Sequence, residues 1–121
     1  MTISQEELPK LLEQAARAMG LKGFVAITPF FGPMFVPDIP DGSDARAFAP
    51  HKSDDQAAEL NAALDHNTKW FVMSPIVQVG EGMAATKAEH DGTTQDKLRA
   101  WREASIRAAA MVGERMMEEE L

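Results

Sequence analysis

The sequence predicts a single α/β domain in which three helices pack with a small mixed or antiparallel sheet of about four to five strands, in the order α-ββ-α-βββ-α. Three observations carry this. Apolar residues recur at helical spacing near both ends, a helix-capping box sits in the middle, and short β-branched and aromatic runs between them are cut by Gly and Pro. The chain's 121 residues suit one domain. At that size roughly two-thirds of the unfolded surface is buried. An apolar share of 45% beside a charged share of 26% supplies the core and excludes wholesale disorder.

The first helix is expected from Pro9 to Met19. Leu8, Leu11, Leu12, Ala15 and Met19 share one face, and Pro9 suits the first turn, where its missing N–H costs nothing. Gly20 is the natural stop. Phe24 to Thr28 reads as a strand, and Met34 to Val36 as its short return, giving a hairpin tipped by Phe30 and Phe31. That tip either packs in the core or projects as a sticky contact. Pro37 to Pro50, with Asp38, Pro40, Asp41, Gly42, Ser43 and Asp44, reads as loop.

Ser53-Asp54-Asp55-Gln56 is a capping box: the Ser53 hydroxyl accepts from the Gln56 N–H while the Gln56 side chain reaches back. Asp54 and Asp55 favour the positive helix end. Ala57, Leu60 and Leu64 form a narrow stripe, and Asn67 is the expected terminator. Lys69 to Ser74 reads as a strand whose apolar run, Trp70 to Met73, predicts a central position covered on both faces. Ile76 to Val79 follows Pro75, and Met83 to Ala88 is a further strand after a turn bracketed by Gly80 and Gly82. Thr93 or Thr94 caps a last helix running to Met117, with Leu98, Trp101, Ser105, Ala108, Val112 and Met116 on one face, widened by Ala104, Ala109 and Met111. Fraying is expected at Glu118 to Glu120, where carboxylates meet the negative helix end. A helix this long invites pairing with a second copy of the chain.

Several function classes lack support. With no cysteine, disulfides and thiolate zinc sites are excluded. Net charge is −7, which repels nucleic acid on average. Met1 to Pro9 carry Glu6 and Glu7 rather than a secretory pattern, and no apolar run approaches the roughly 20 residues of a membrane span, so a cytoplasmic protein without membrane contact is expected. His51, His66 and His90 show no metal-ligand spacing, and Asp38, Asp41 and Asp44 lack the alternating ligands and closing acid of a calcium loop. Gly80-Glu81-Gly82 is too short to cradle phosphate, and Gly20 to Gly23 precedes a strand, the wrong order for a dinucleotide site. Among the serines, Ser53 is a cap, and neither Ser74 nor Ser105 sits in a nucleophile elbow. The expectation is a non-enzymatic protein with no cofactor and no metal. Arg99, Arg102 and Arg107 form either a solvated face with Glu103 or an anion site, since guanidinium forks match phosphate.

Three stretches resemble a family. Ala18-Met19-Gly20 closes an early Ala-rich helix, Pro50-His51-Lys52-Ser53-Asp54-Asp55-Gln56-Ala57-Ala58 opens the middle one, and Ala104-Ser105-Ile106-Arg107-Ala108-Ala109 lies in the closing one. In that order, across Leu8 to Gly113, the chain is similar to the phage ABA sandwich domain family of small phage and prophage proteins. Lys52 stands where that family has a tyrosine, and the first hairpin lacks its tryptophan. The resemblance implies a fold and a phage setting rather than a chemistry.

The functional expectation is a phage- or prophage-encoded binding protein for host manipulation or counter-defence. It either sequesters a nucleotide second messenger or blocks a host defence protein. Phe30, Phe31, Trp70, Arg99 and Arg102 are the candidate contact residues. Alternatives are a structural phage accessory protein that oligomerises through the C-terminal helix, and an unrecognised hydrolase.

Overall fold

The computed structural model describes residues 3–29, 32–37, 48–81 and 85–120. Phe30, Phe31, Met83 and the Asp38–Asp44 loop lie outside them. The element order is the expected α-ββ-α-βββ-α, with three helices and five strands among the described residues. The strands divide between two antiparallel sheets, one of two strands and one of three.

Helix α1 (Leu8–Ala18) buries Leu8, Leu12, Ala15 and Ala16 and carries its proline in the first turn. It ends as the sequence suggests. Gly20 takes φ +74°. Its N–H donates to the Arg17 carbonyl and that of Leu21 to the Ala16 carbonyl, both at 2.9 Å. This paired closure satisfies carbonyls that the helix end would otherwise orphan. Strands β1 (Gly23–Thr28) and β2 (Gly32–Pro37) then pair with Val25 opposite Phe35. Phe35 is nearly inaccessible and exchanges two backbone hydrogen bonds with Phe48, their rings edge to face at 6.2 Å.

The Ser53 hydroxyl accepts from the Gln56 N–H at 3.2 Å and starts α2 (Asp54–Ala63). The Gln56 side-chain oxygen reaches past Ser53 to accept from the Ala49 N–H, anchoring the preceding turn. The helix stops at Asp65, which has φ +55°, rather than at the expected Asn67. The His66 N–H bonds the Asn61 carbonyl at 2.8 Å, the same closure as in α1 with aspartate in the glycine's place. Asn67 lies beyond the helix, where its carbonyl accepts from the Gly80 N–H.

The second sheet has β4 (Ile76–Val79) between β3 (Thr68–Trp70) and β5 (Thr86–Glu89). This overturns the expectation of a central, doubly covered strand at Trp70–Met73. β3 is a three-residue edge strand, and Val72 and Met73 lie in the β3–β4 turn, 96% and 93% exposed. Pro75 carries no N–H for a ladder, and the chain reverses there, the Phe71 N–H bonding the Ile76 carbonyl and the Ile76 N–H the Ser74 carbonyl. The last strand is Thr86–Glu89, overlapping the expected Met83–Ala88, of which Met83 and Ala84 lie outside the described residues.

Helix α3 (Thr94–Glu120) spans 27 residues, about 40 Å. Thr93 caps it, its hydroxyl accepting from the Asp96 N–H at 3.3 Å. The helix continues through the glutamates expected to fray, and Met116 in that last stretch lines a groove with the end of α1. Rather than one buried face, α3 has two. Ile106 and Ala109 join Leu8, Leu12, Phe35, Phe48 and Leu60 in one core. Ala100, Ala104 and Ala108 join Val77, Val79 and Ala88 in another. At about 100° per residue these sets lie on nearly opposite sides of the helix, so α3 is a wall shared by two cores. Its approach to α1 is close: a Cβ on Gly113 would stand 1.8 Å from the Gln14 carbonyl oxygen.

Candidate functional site

Arg99, Arg102 and Arg107 of α3 are tied to carboxylates. Arg99 holds Asp96 and Glu103, each at 2.7 Å, and donates to the Glu89 carbonyl at 2.9 Å, fastening α3 to the end of β5. Those carboxylates push the Arg99 pKa up. Arg99 in turn holds Asp96 down to about 2, its hydrogen bond being the largest cause and the Asp91 N–H adding to it. Arg102 reaches Asp54 at 2.7 Å and the His51 carbonyl at 3.1 Å, fastening α3 to the start of α2. Arg107 meets Glu7 at 3.3 Å, just ahead of α1. Each guanidinium therefore links α3 to a different part of the chain, and a phosphate would have to displace a carboxylate already in place.

Ser105 is wholly buried, where it accepts from the Asn61 amide at 2.9 Å and donates to the Trp101 carbonyl at 2.7 Å. It bridges α2 and α3 and is closed to a substrate. Burial pushes His51 down to about 4, reinforced by Lys52 and Arg102. Neither of its ring nitrogens has a hydrogen-bond partner among the described residues. Burial likewise lowers His66, against the pull of Asp65. The described residues contain no group of three or more His, Cys, Asp or Glu able to hold a metal, and no helix long and apolar enough to cross a membrane.

The accessible chemistry lies at the second sheet. Strand alternation and the observed register put Trp70, Val77 and Ala88 on the side facing α3, and Lys69, Gln78 and Lys87 in a row on the other side. Both ammonium groups lie over the ring of Phe71, Lys69 at 5.1 Å and Lys87 at 5.6 Å, a cation–π arrangement. Among the described residues neither lysine has a carboxylate within ion-pair distance. Trp70 sits at the sheet margin, 43% exposed, its ring tilted against His90 at 5.9 Å. Beyond Phe71 the turn presents Val72 and Met73 to water. Two lysines, two aromatic rings and two bare aliphatic side chains thus share one end of the sheet.

Of the residues picked from sequence, Trp70 belongs to this surface, Arg99 and Arg102 serve as clamps, and Phe30 and Phe31 lie outside the described residues. Sequence reasoning missed Lys69, Phe71, Val72, Met73 and Lys87. Their apolar run was visible, but its position relative to the core was not. A groove of about 520 Å³ elsewhere is lined by Glu13, Arg17, Leu21, Lys22, Phe35 and Met116, and it lies open at the end of α1. The chain matches no family model, no curated protein and no solved structure.

Proposed function

We propose that this chain is a non-enzymatic binding protein that docks its β3–β4 turn into an apolar pocket on a partner protein. The carrying observation is that Val72 and Met73 stand 96% and 93% exposed at the turn, beside a half-exposed Trp70. Burying two such side chains in a partner gains roughly 1.5–3 kcal/mol each, and a central apolar anchor with an aromatic neighbour is the usual make-up of an interface hot spot. Lys69 and Lys87, with no carboxylate in ion-pair distance among the described residues of a chain of net charge −7, favour a pocket rimmed by carboxylates. In the phage setting that the family resemblance implies, a host defence protein is the partner of this kind, and occupying its pocket would block it.

A protein fits this surface better than a small ligand does. Sequestration calls for a concavity that encloses most of the ligand, whereas the lysine row and the turn project outward. The test uses the full chain carrying a photo-crosslinker in place of the exposed Ser74, incubated with host lysate, beside the same crosslinker-bearing chain with V72D/M73D. The expected result is a single crosslinked partner, lost with V72D/M73D while the circular dichroism is unchanged, and weakened by K69E/K87E. Equal capture by V72D/M73D contradicts the proposal. So does a melting shift with cyclic nucleotides that K69E/K87E abolishes and V72D/M73D leaves intact, which would transfer the surface to the nucleotide second messenger.

A further inference from the structure

Among the described residues the first hairpin has an edge with no strand beside it. β1 pairs only with β2, and its other side has no neighbouring strand among the described residues. Gly23–Thr28 and Gly32–Pro37 contain no charged residue. Soluble proteins ordinarily guard such an edge with lysine, proline or a bulge, and β1 has none of these in its interior. A two-stranded ribbon is also marginal by itself and gains when further strands extend it.

Ile27 shows where the extension belongs. The register puts it on the same face as Val25 and Phe35, the face packed on the core. Yet Ile27 is 76% exposed although Pro33, opposite it on β2, is buried, while on the opposite face Phe24 is 62% exposed. A core-facing residue flanked by a strand on one side only, and exposed, marks the place of a further strand.

We propose that the missing strand is β1 of a second copy of this chain, joined antiparallel to make a continuous four-stranded sheet in the order β2-β1-β1′-β2′. A twofold axis through Ala26 keeps the core-facing side of both copies on one side of the sheet. It sets Ile27 of each copy beside Val25 of the other. One register therefore satisfies both exposed isoleucines with identical contacts, as an isologous interface requires. Charge favours the same place. Two chains of net charge −7 repel, and an uncharged ribbon is where they can approach. The interface is independent of the β3–β4 turn, which belongs to the other core of α3.

Sedimentation velocity over a wide concentration range tests this. The wild-type chain is expected to dimerise, and Ile27→Lys, at an exposed position, to weaken association more than about tenfold with unchanged far-UV circular dichroism. The chain has no cysteine, so Ala26→Cys is expected to oxidise to a covalent dimer far faster than a control cysteine at Val72. That crosslink decides the matter should Ile27→Lys fail to fold. A wild-type chain that stays monomeric at the highest concentration overturns the proposal, as does Ala26→Cys crosslinking no faster than the control. V72D/M73D should leave the dimer untouched, so a failed docking experiment and a failed dimer remain distinguishable.

Discussion

The two sides of α3 are built differently. Toward α1, α2 and the first hairpin the core contains Leu8, Leu12, Phe35, Phe48, Leu60 and Ile106, with Gly113 letting the helices close to backbone contact. Toward the second sheet the core is a thin layer of Ala100, Ala104 and Ala108 against Val77, Val79 and Ala88. The first side spends its large side chains on stability. The second leaves its aromatic and aliphatic residues, Trp70, Phe71, Val72 and Met73, at the sheet margin and in the turn, where they are available to a partner. The sheet is held to α3 by small residues, by Arg99, and by polar bonds from Trp101 to Thr68 and from Thr86 to the Ala104 carbonyl.

The contrast can be broken most strongly by truncation on each side. Leu12 and Val79 are both fully buried. Leu12→Ala should cost about 3 kcal/mol, and Val79→Ala about 1.5 kcal/mol, read by urea denaturation. Losses in proportion to the carbons removed, three against two, would mean that the two cores are alike. Gly113→Ala comes next. Within an exposed helix this change stabilises by about 1 kcal/mol. Here the added methyl collides with the Gln14 carbonyl, so a loss of about 1–3 kcal/mol is expected. A gain would show that α1 and α3 are further apart than described.

A pH titration sharpens the comparison on the first side. His51 binds its proton at about 4 when folded, against 6.5 for the unfolded group. Between those values the unfolded chain holds more protons, so this contribution to stability is complete above about 6.5 and is lost as pH falls toward 4. Asp96, held at about 2, loses its contribution only below its ordinary 3.8. The melting temperature should therefore decline between pH 6.5 and 4, and His51→Gln should flatten that decline. An unchanged slope in the variant would assign it to other groups. The smallest effect is expected at Asp65, where φ +55° suits glycine: Asp65→Gly should stabilise by a few tenths to about 1 kcal/mol in thermal melts.

Much of this architecture was legible in local chemistry. The α1 stop at Gly20, the Ser53 cap and the order of elements follow from residues whose partners lie within one or two turns. What local chemistry could not show was which side of an element the rest of the chain would cover. Trp70 to Met73 reads as a buried strand because hydropathy records transfer preference, not neighbours; the same run serves an edge strand leading into a bare turn. The periodicity of α3 suggests one apolar face because alanines on two opposite sides blur the stripe. The arginines looked available for an anion because their partners, Asp54 for Arg102 and Glu7 for Arg107, are remote in sequence.

Backbone hydrogen exchange tests the shared-wall arrangement most directly. Amides from Ala100 to Ala110, inside α3 and covered on both sides, should be the slowest in the chain, opening only with global unfolding. Those of Val72 and Met73 should exchange at rates near an unstructured peptide's. Protection of the turn comparable to that of the β4 amides, or rapid exchange along Ala100 to Ala110, would contradict it.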